Sequence, residues 1–334
     1  MYTLFKSERV TTEEEISSME SDRVLLRSDD SFEEVSVVRP ASCTRFTNRL
    51  VSKQTFGARP IYGGQLARAP LMDYFSRSHH NRHCIYTREK VAELRHAVNQ
   101  EAVAGIKALL PADLEPPTAA EESALLQFYR LKIPELCRYF KFPPSVAATA
   151  HWLLTRLTLR HSWLTHDPKH TMLCCVWLAT KCENLHLGMS DFAGKIPNTN
   201  VEWLGEMEFV LLAALEYQIN FFAPATPLAG LLLDYKIGGT GDFSAEMPME
   251  AGKMLDRICA TDALLLYKPA TLAGCALKMA CDSPSMDAYL QEKCPSSLEE
   301  LPRIKELLEN ASRIDAEQVK AIDRRLIQIR KHVS

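Results

Sequence analysis

The 334-residue chain is short of almost every feature that marks an enzyme, a membrane protein or a disulfide scaffold. No apolar stretch approaches the roughly 20 residues that cross a bilayer. Its ten cysteines include no Cys-x-x-Cys pair, so a zinc ribbon or redox motif is excluded and reduced, buried thiols are expected. The formal net charge is only −3, so no global basic field draws in nucleic acid. Gly-x-Ser-x-Gly, a phosphate-binding P-loop and a supported Ser-x-x-Lys constellation are all missing. No alternating strand pattern of note occurs. The first twenty residues carry Glu13, Glu14 and Glu15 without an apolar core; no signal peptide is expected, and the protein is expected to be soluble and intracellular.

What is present is helix. Hydrophobic residues make up 46% of the chain, enough for a sizeable core. The stretch from Asp167 to Lys181 opens with a cap residue and a first-position proline, Pro168. From Met172 to Ala179 its only polar side chains are thiols. A helix apolar all round is buried all round, so this is predicted to be the central helix of a packed helical domain. The pattern returns 101 positions later without a gap. Leu154 falls on Leu255, Arg156 on Arg257, Leu164 on Leu265, Pro168 on Pro269 and Cys174 on Cys275. A duplicated all-helical domain of about a hundred residues follows.

Other elements frame the repeat. Residues 8–34 hold ten acidic side chains against three arginines, while 35–72 hold none but carry Arg39, Arg45, Arg49, Lys53, Arg59 and Arg68. This reads as a charge-segregated disordered tail, or as a docking segment anchored by Phe46, Leu50, Val51 and Phe56. His79, His80 and His83 are read as part of a polar surface strand or arm, because no second ligand pair completes a zinc site. A helix is predicted from Thr87, with Val91, Leu94 and Val98 on one face. Thr118 with Glu121 forms a capping box for a helix running toward Phe140 with a disruption at Pro134. Further helices are predicted over a stretch containing Trp152 and Leu157, near Ser190–Gly194, and from about Asn200 to Ile219. The second repeat is read as starting at Thr226-Pro227, with a flexible connection at Gly238–Gly241. Helices then run from Pro248 to Tyr267, Pro269 to Cys281, Ser285 to Lys293, and Ser297 onward with a kink at Pro302. A last helix, capped by Asp315, carries the stripe Val319, Ile322, Leu326 and Ile329.

Two charges draw interest. Lys181 ends the central helix, where a solvated lysine complements the helix dipole. Glu208 lies among Leu204, Leu211 and Leu212; it either reaches solvent at the edge of that stripe or needs a partner. His166 and His170 do not form a zinc pair, because Pro168 leaves His166 outside the helix.

The run Leu178-Ala179-Thr180-Lys181-Cys182-Glu183 and the run from Glu208 to Ile219 resemble the cyclin family. Within it, the chain from about 76 to 330 is most similar to the cyclin H subfamily. Arg82-His83 with Ile85-Tyr86, Leu114-Glu115-Pro116, and Pro224, Pro227, Gly230 and Asp234 carry that likeness. Thr261-Asp262 before Leu265-Leu266-Tyr267 and Pro269 is shared with cyclin C. The resemblance implies an all-α fold of tandem five-helix cyclin boxes with flanking N- and C-terminal helices. The implied boundaries are a tail at 1–75, an N-terminal arm and helix at 76–117, a first box at 118–222, a second at 223–310 and a C-terminal helix at 311–334. It implies a Lys181–Glu208 pair, and a kinase interface of Lys181, Cys182, Glu208, Phe209, Leu212 and Tyr217. It further implies no catalysis, cofactor or metal in this chain, a cyclin-dependent kinase partner, a third assembly factor, association with TFIIH, and a nuclear setting without direct nucleic-acid or membrane binding. Two departures stand out: Asn184 replaces a second acidic residue after Glu183, and no Met-Arg-Ala-Ile-Leu substrate patch is present. The second argues against a substrate-docking cell-cycle cyclin. A cyclin C-like Mediator cyclin and a promoter-binding factor of the TFIIB type are the rival readings; the latter wants basic DNA-facing helices and a zinc ribbon.

Overall fold

The computed structural model describes residues 74–112, 114–238, 243–312 and 315–333. The sequence readings on 1–73 and on the glycine connection at 239–242 lie outside the described residues. Among those described, every regular element is a helix. Three come first: α1 (Tyr74–Arg77), α2 (His79–His83) and α3 (Arg88–Ile106). A first set of five follows: α4 (Ala119–Tyr139), α5 (Pro144–Leu157), α6 (Pro168–Cys182), α7 (Met189–Ala193) and α8 (Val201–Ala214). A second set contains α9 (Ala225–Ile237), α10 (Met247–Cys259), the one-turn α11 (Ala263–Leu266), α12 (Pro269–Ala280), α13 (Pro284–Lys293) and α14 (Pro295–Ser312). Helix α15 (Ala316–Val333) is appended.

Local chemistry sets the starts. The Asp167 carboxylate accepts from the His170 amide at 3.0 Å, and Pro168 occupies the first turn, where its missing N–H costs nothing. Thr118 and Glu121 form both halves of their capping box. Helix α6 is buried from Thr171 to Thr180 and packs against α4, α5 and α8. Its counterpart 101 residues on, α12, is buried from Thr271 to Lys278 and packs against α9, α10 and α14. Pro168 and Pro269 each open their helix, so the duplication seen in sequence is a duplication in space. Gly274 sets the approach of α12 to α14: a Cβ there would stand 2.6 Å from the side chain of Ser297. The stripe Val319, Ile322, Leu326 and Ile329 is buried and lays α15 on α4.

Several sequence expectations need correction. The histidine segment is helical, and His80 is buried rather than part of a surface strand; its Nδ1 accepts the Phe222 amide at 3.2 Å within a nest of aromatic rings. Helix α4 passes Pro134 and continues to Tyr139. Thr226 is not a cap, since α9 already starts at Ala225. Helix α8 stops at Ala214, well before Ile219, because Glu216 and Tyr217 turn left-handed at φ 54° and 57°. The predicted helix from Pro248 to Tyr267 is broken at Ala260–Asp262, where Thr261 Oγ1 donates to the Ile258 carbonyl and accepts from the Ala263 amide.

That break releases Asp262 for a junction. Arg95 of α3 grips its carboxylate with two hydrogen bonds of 2.8 and 2.7 Å. Arg130 of α4 reaches the same carboxylate at 2.5 Å and also donates to Thr155 of α5 at 3.0 and 2.8 Å. Burial alone would raise the Asp262 carboxyl, but the guanidinium groups of Arg130 and Arg95 hold it well below the usual carboxylate range. One side chain thus joins the N-terminal helix and both helical sets. Asp262→Ala leaves two cations in the interior without a counterion and is expected to cost about 3–5 kcal/mol in urea unfolding. A loss below about 1 kcal/mol, the level of an exposed pair, would contradict this role.

Two buried imidazoles make stability pH-dependent. Burial, with Arg156 and His79 nearby, lowers His80 to about 4, and burial beside Arg130 lowers His151 to about 3. In the unfolded chain both protonate near 6.5. Their neutral forms therefore favour folding above that value, and the contribution is lost as pH falls from 6.5 toward the folded-state values. The urea midpoint is expected to drop steadily between pH 7 and pH 5, and His151→Gln to flatten that slope. A midpoint constant over this range would contradict the assignment.

Candidate functional site

The C-terminal turn of α6 and the outer side of α8 meet at a charged pair. Lys181 Nζ donates to Glu208 Oε1 at 2.6 Å and Oε2 at 2.8 Å, and lies 5.3 Å from the centre of the Trp177 ring. The Glu208 side chain is only 12% exposed and that of Lys181 46% exposed. Of the two readings open for Glu208, the structure therefore selects the paired one. Leu204 and Leu211 are fully buried one turn away and fix the helix rotation that aims Glu208 at Lys181. Two of the three ammonium protons go to the carboxylate, leaving a donor on the solvent side.

The remaining candidates are Phe209, Leu212, Tyr217 and Cys182. Phe209 and Tyr217 are 71% and 67% exposed, which is unusual for large rings next to a core helix. Leu212 is half-buried between them, and its carbonyl accepts the Tyr217 amide at 2.9 Å. Cys182 is half-buried next to Lys181. Burial, then the neighbouring Glu183 and Glu208, pushes its thiol up to about 11, so it stays protonated and acts as an apolar contact instead of a nucleophile. The six candidates thus lie on two stretches, the C-terminal turn of α6 and α8 with its following turn, which the Lys181–Glu208 pair joins.

The departure at Asn184, just after Glu183, has a local cause. Glu183 turns inward to accept from Thr149 of α5 at 2.6 Å. Asn184 sits left-handed at φ 56° just past the end of α6, where its amide bonds the Lys181 carbonyl at 3.1 Å. Asparagine tolerates this helix-closing conformation better than most residues.

Sequence reasoning missed two contributors. Arg156 of α5 and Arg160 of the turn after it both reach the turn that carries Tyr217. Arg156 appeared only as a repeat match with Arg257, yet Arg156 is buried and Arg257 exposed. Among the described residues no group of three or more metal-ligating side chains comes together. His166 lies against His161, tilted, with ring centres 5.2 Å apart, outside α6, as expected from Pro168. Clefts of about 330 and 550 Å³ lie elsewhere, and neither includes Lys181 or Glu208.

Twin helical repeats carry this charged pair and its exposed aromatic neighbours in sequence. Residues 123–220 match the cyclin N-terminal domain. It is 29% identical over 231 residues to Cyclin-H1-1 of Arabidopsis thaliana, covering 59% of this chain and 67% of the relative. Its fold is similar to that of a chain in the CAK complex of Chaetomium thermophilum bound to ATP-gamma-S, with a TM-score of 0.64 and 20% identity over 78% of this chain and 87% of that one. It is similar also to a chain of the yeast TFIIK (Kin28/Ccl1/Tfb3) complex, with a TM-score of 0.59 and 24% identity over 70% and 99%.

Exposed rings that serve a partner do nothing for the free fold. Phe209→Ser is expected to leave the unfolding midpoint within about 0.5 kcal/mol of the parent chain. A loss of 2 kcal/mol or more, about the value of a buried ring, would mean that Phe209 belongs to the core.

Proposed function

We propose that this chain is a cyclin H-like regulatory subunit that binds and activates a cyclin-dependent kinase of the CDK-activating type. The observation that carries the reading is the fixed Lys181–Glu208 pair flanked by the exposed rings of Phe209 and Tyr217. The similarity to Cyclin-H1-1 and to chains of the CAK and TFIIK complexes supports it. The apolar members, with Leu212 and Cys182, supply most of the binding energy, and the ion pair fixes register by bonding partner backbone.

No chemistry is needed in this chain. A kinase is active only when its C-helix glutamate pairs with the lysine that holds ATP phosphates. A partner that binds the active arrangement better than the inactive one shifts the kinase population toward it, and only as far as that difference in affinity allows. The two boxes and the flanking helices would then serve one assembly, with a third factor, TFIIH and a nuclear setting. The three-chain TFIIK complex (Kin28/Ccl1/Tfb3) supports the third factor. Direct contact with nucleic acid or membrane forms no part of this role.

Affinity purification of the tagged chain, with partners identified by mass spectrometry, tests the assignment. A cyclin-dependent kinase with TFIIH subunits is expected. A kinase with Mediator subunits would favour the cyclin C-like reading, and promoter DNA with polymerase but no kinase would contradict the proposal. With the recovered kinase, Glu208→Ala is expected to weaken binding at least about tenfold, the lower range for a close interfacial charge pair, at unchanged fold. Equal activation by variant and parent would contradict the site.

A further inference from the structure

The turn that follows α8 is strained, and it is held from several sides. Glu216 and Tyr217 are successive non-glycine residues in the left-handed region, at φ 54° and 57°. One such residue is uncommon; two in a row, one of them aromatic, persist only where the surroundings over-determine them.

Those surroundings are specific. The Glu216 and Tyr217 amides bond the Ala213 and Leu212 carbonyls, each at 2.9 Å, and the Gln218 amide bonds Leu215 at 3.0 Å. Arg156 Nη1 donates to the Gln218 carbonyl at 2.5 Å from a side chain buried beneath the turn. Its guanidinium lies 4.6 Å from the centre of the Trp152 ring, which in turn stacks on Phe221 at 4.9 Å. Arg160, in the turn just past the end of α5, binds the Glu216 carboxylate at 2.5 Å. The backbone of residue 222 is fixed by His80. Along this strap the neighbours of Tyr217 are tied down, while Tyr217 itself points outward.

We infer that Arg156 and Arg160 are positioning residues for partner binding: they lock the strained turn so that Tyr217 is presented in its binding conformation before the kinase arrives. The inference rests on the reading that this surface docks a kinase. Arg156 acts on the backbone from below and Arg160 on the flanking carboxylate, and both act through Tyr217. The two arginines reduce the ordering that association would otherwise demand, which is how preorganisation raises affinity.

A double-mutant cycle measures this, using the cyclin-dependent kinase that co-purifies with the chain and a direct binding assay. Tyr217→Ala is expected to weaken binding about tenfold, or about 1.4 kcal/mol, and Arg156→Lys and Arg160→Ala by a smaller factor each. In the Tyr217→Ala background neither arginine substitution is expected to weaken binding further, a non-additivity that two independent contacts do not show. In the free chain, amide exchange at Tyr217 and Gln218 is expected to accelerate in Arg156→Lys. Should that variant fail to fold, Arg160→Ala, at a surface-exposed pair, carries the same cycle. Fully additive losses with Tyr217→Ala would overturn the inference while leaving the docking surface in place. Parent-like binding by both Tyr217→Ala and Glu208→Ala would instead overturn the docking reading, and this inference with it.

Discussion

Asp262 accepts hydrogen bonds from two guanidinium groups, and that arrangement constrains the molecule more than any other polar contact. A carboxylate in the interior is costly unless it is paired and fully bonded, and so is each arginine. Satisfying Asp262, Arg95 and Arg130 together requires α3, α4 and the loop after α10 to meet at one point. Thr155 adds α5 to the same point. The hydrophobic effect brings the helices together without regard to direction, and the charged junction selects one arrangement among the many that bury similar area.

The proposed docking surface follows from the packing of the same helices. Helix α6 is buried nearly throughout, so its C-terminal turn is the first place where it meets solvent, and Lys181 stands there. Helix α8 packs on α6 through Leu204 and Leu211, which leaves Glu208 beneath Lys181 and Phe209 on the outside. Helix α5, packed against α6 on another side, extends Arg156 to the turn after α8, and the turn that ends α5 adds Arg160. Three helices that share one core thereby control one external patch. Rigid elements are the right support for such a site, because a side chain on a packed helix needs little further ordering when a partner arrives.

Sequence reading went far on this chain where periodicity and capping carry the signal. The fully apolar run from Met172 to Ala179 announced a central helix, and the 101-residue offset of Pro168 and Pro269 announced its duplicate. The cap at Asp167, the capping box at Thr118 and the stripe from Val319 to Ile329 were equally legible, since each depends on residues within one or two turns. What was not legible depends on contacts across the fold. Nothing near Asp262 reveals that arginines 132 and 167 residues away will converge on it. The early end of α8 was hidden because Glu216 and Tyr217 are poor residues for a left-handed turn. His80 read as surface because its partner, the Phe222 amide, lies 142 residues on. At the site, Lys181 and Glu208 were ambiguous when taken singly, and the cyclin resemblance resolved them into a pair.

The account's central claim is that a kinase binds across the end of α6, the face of α8 and the turn at Tyr217. Amide hydrogen exchange of this chain, alone and with the co-purifying cyclin-dependent kinase, tests that claim most directly. Protection is expected to rise over residues 178–184 and 208–219, with α13 and α14 unchanged. Protection confined to the second helical set, or none at either end of the Lys181–Glu208 pair, would contradict it.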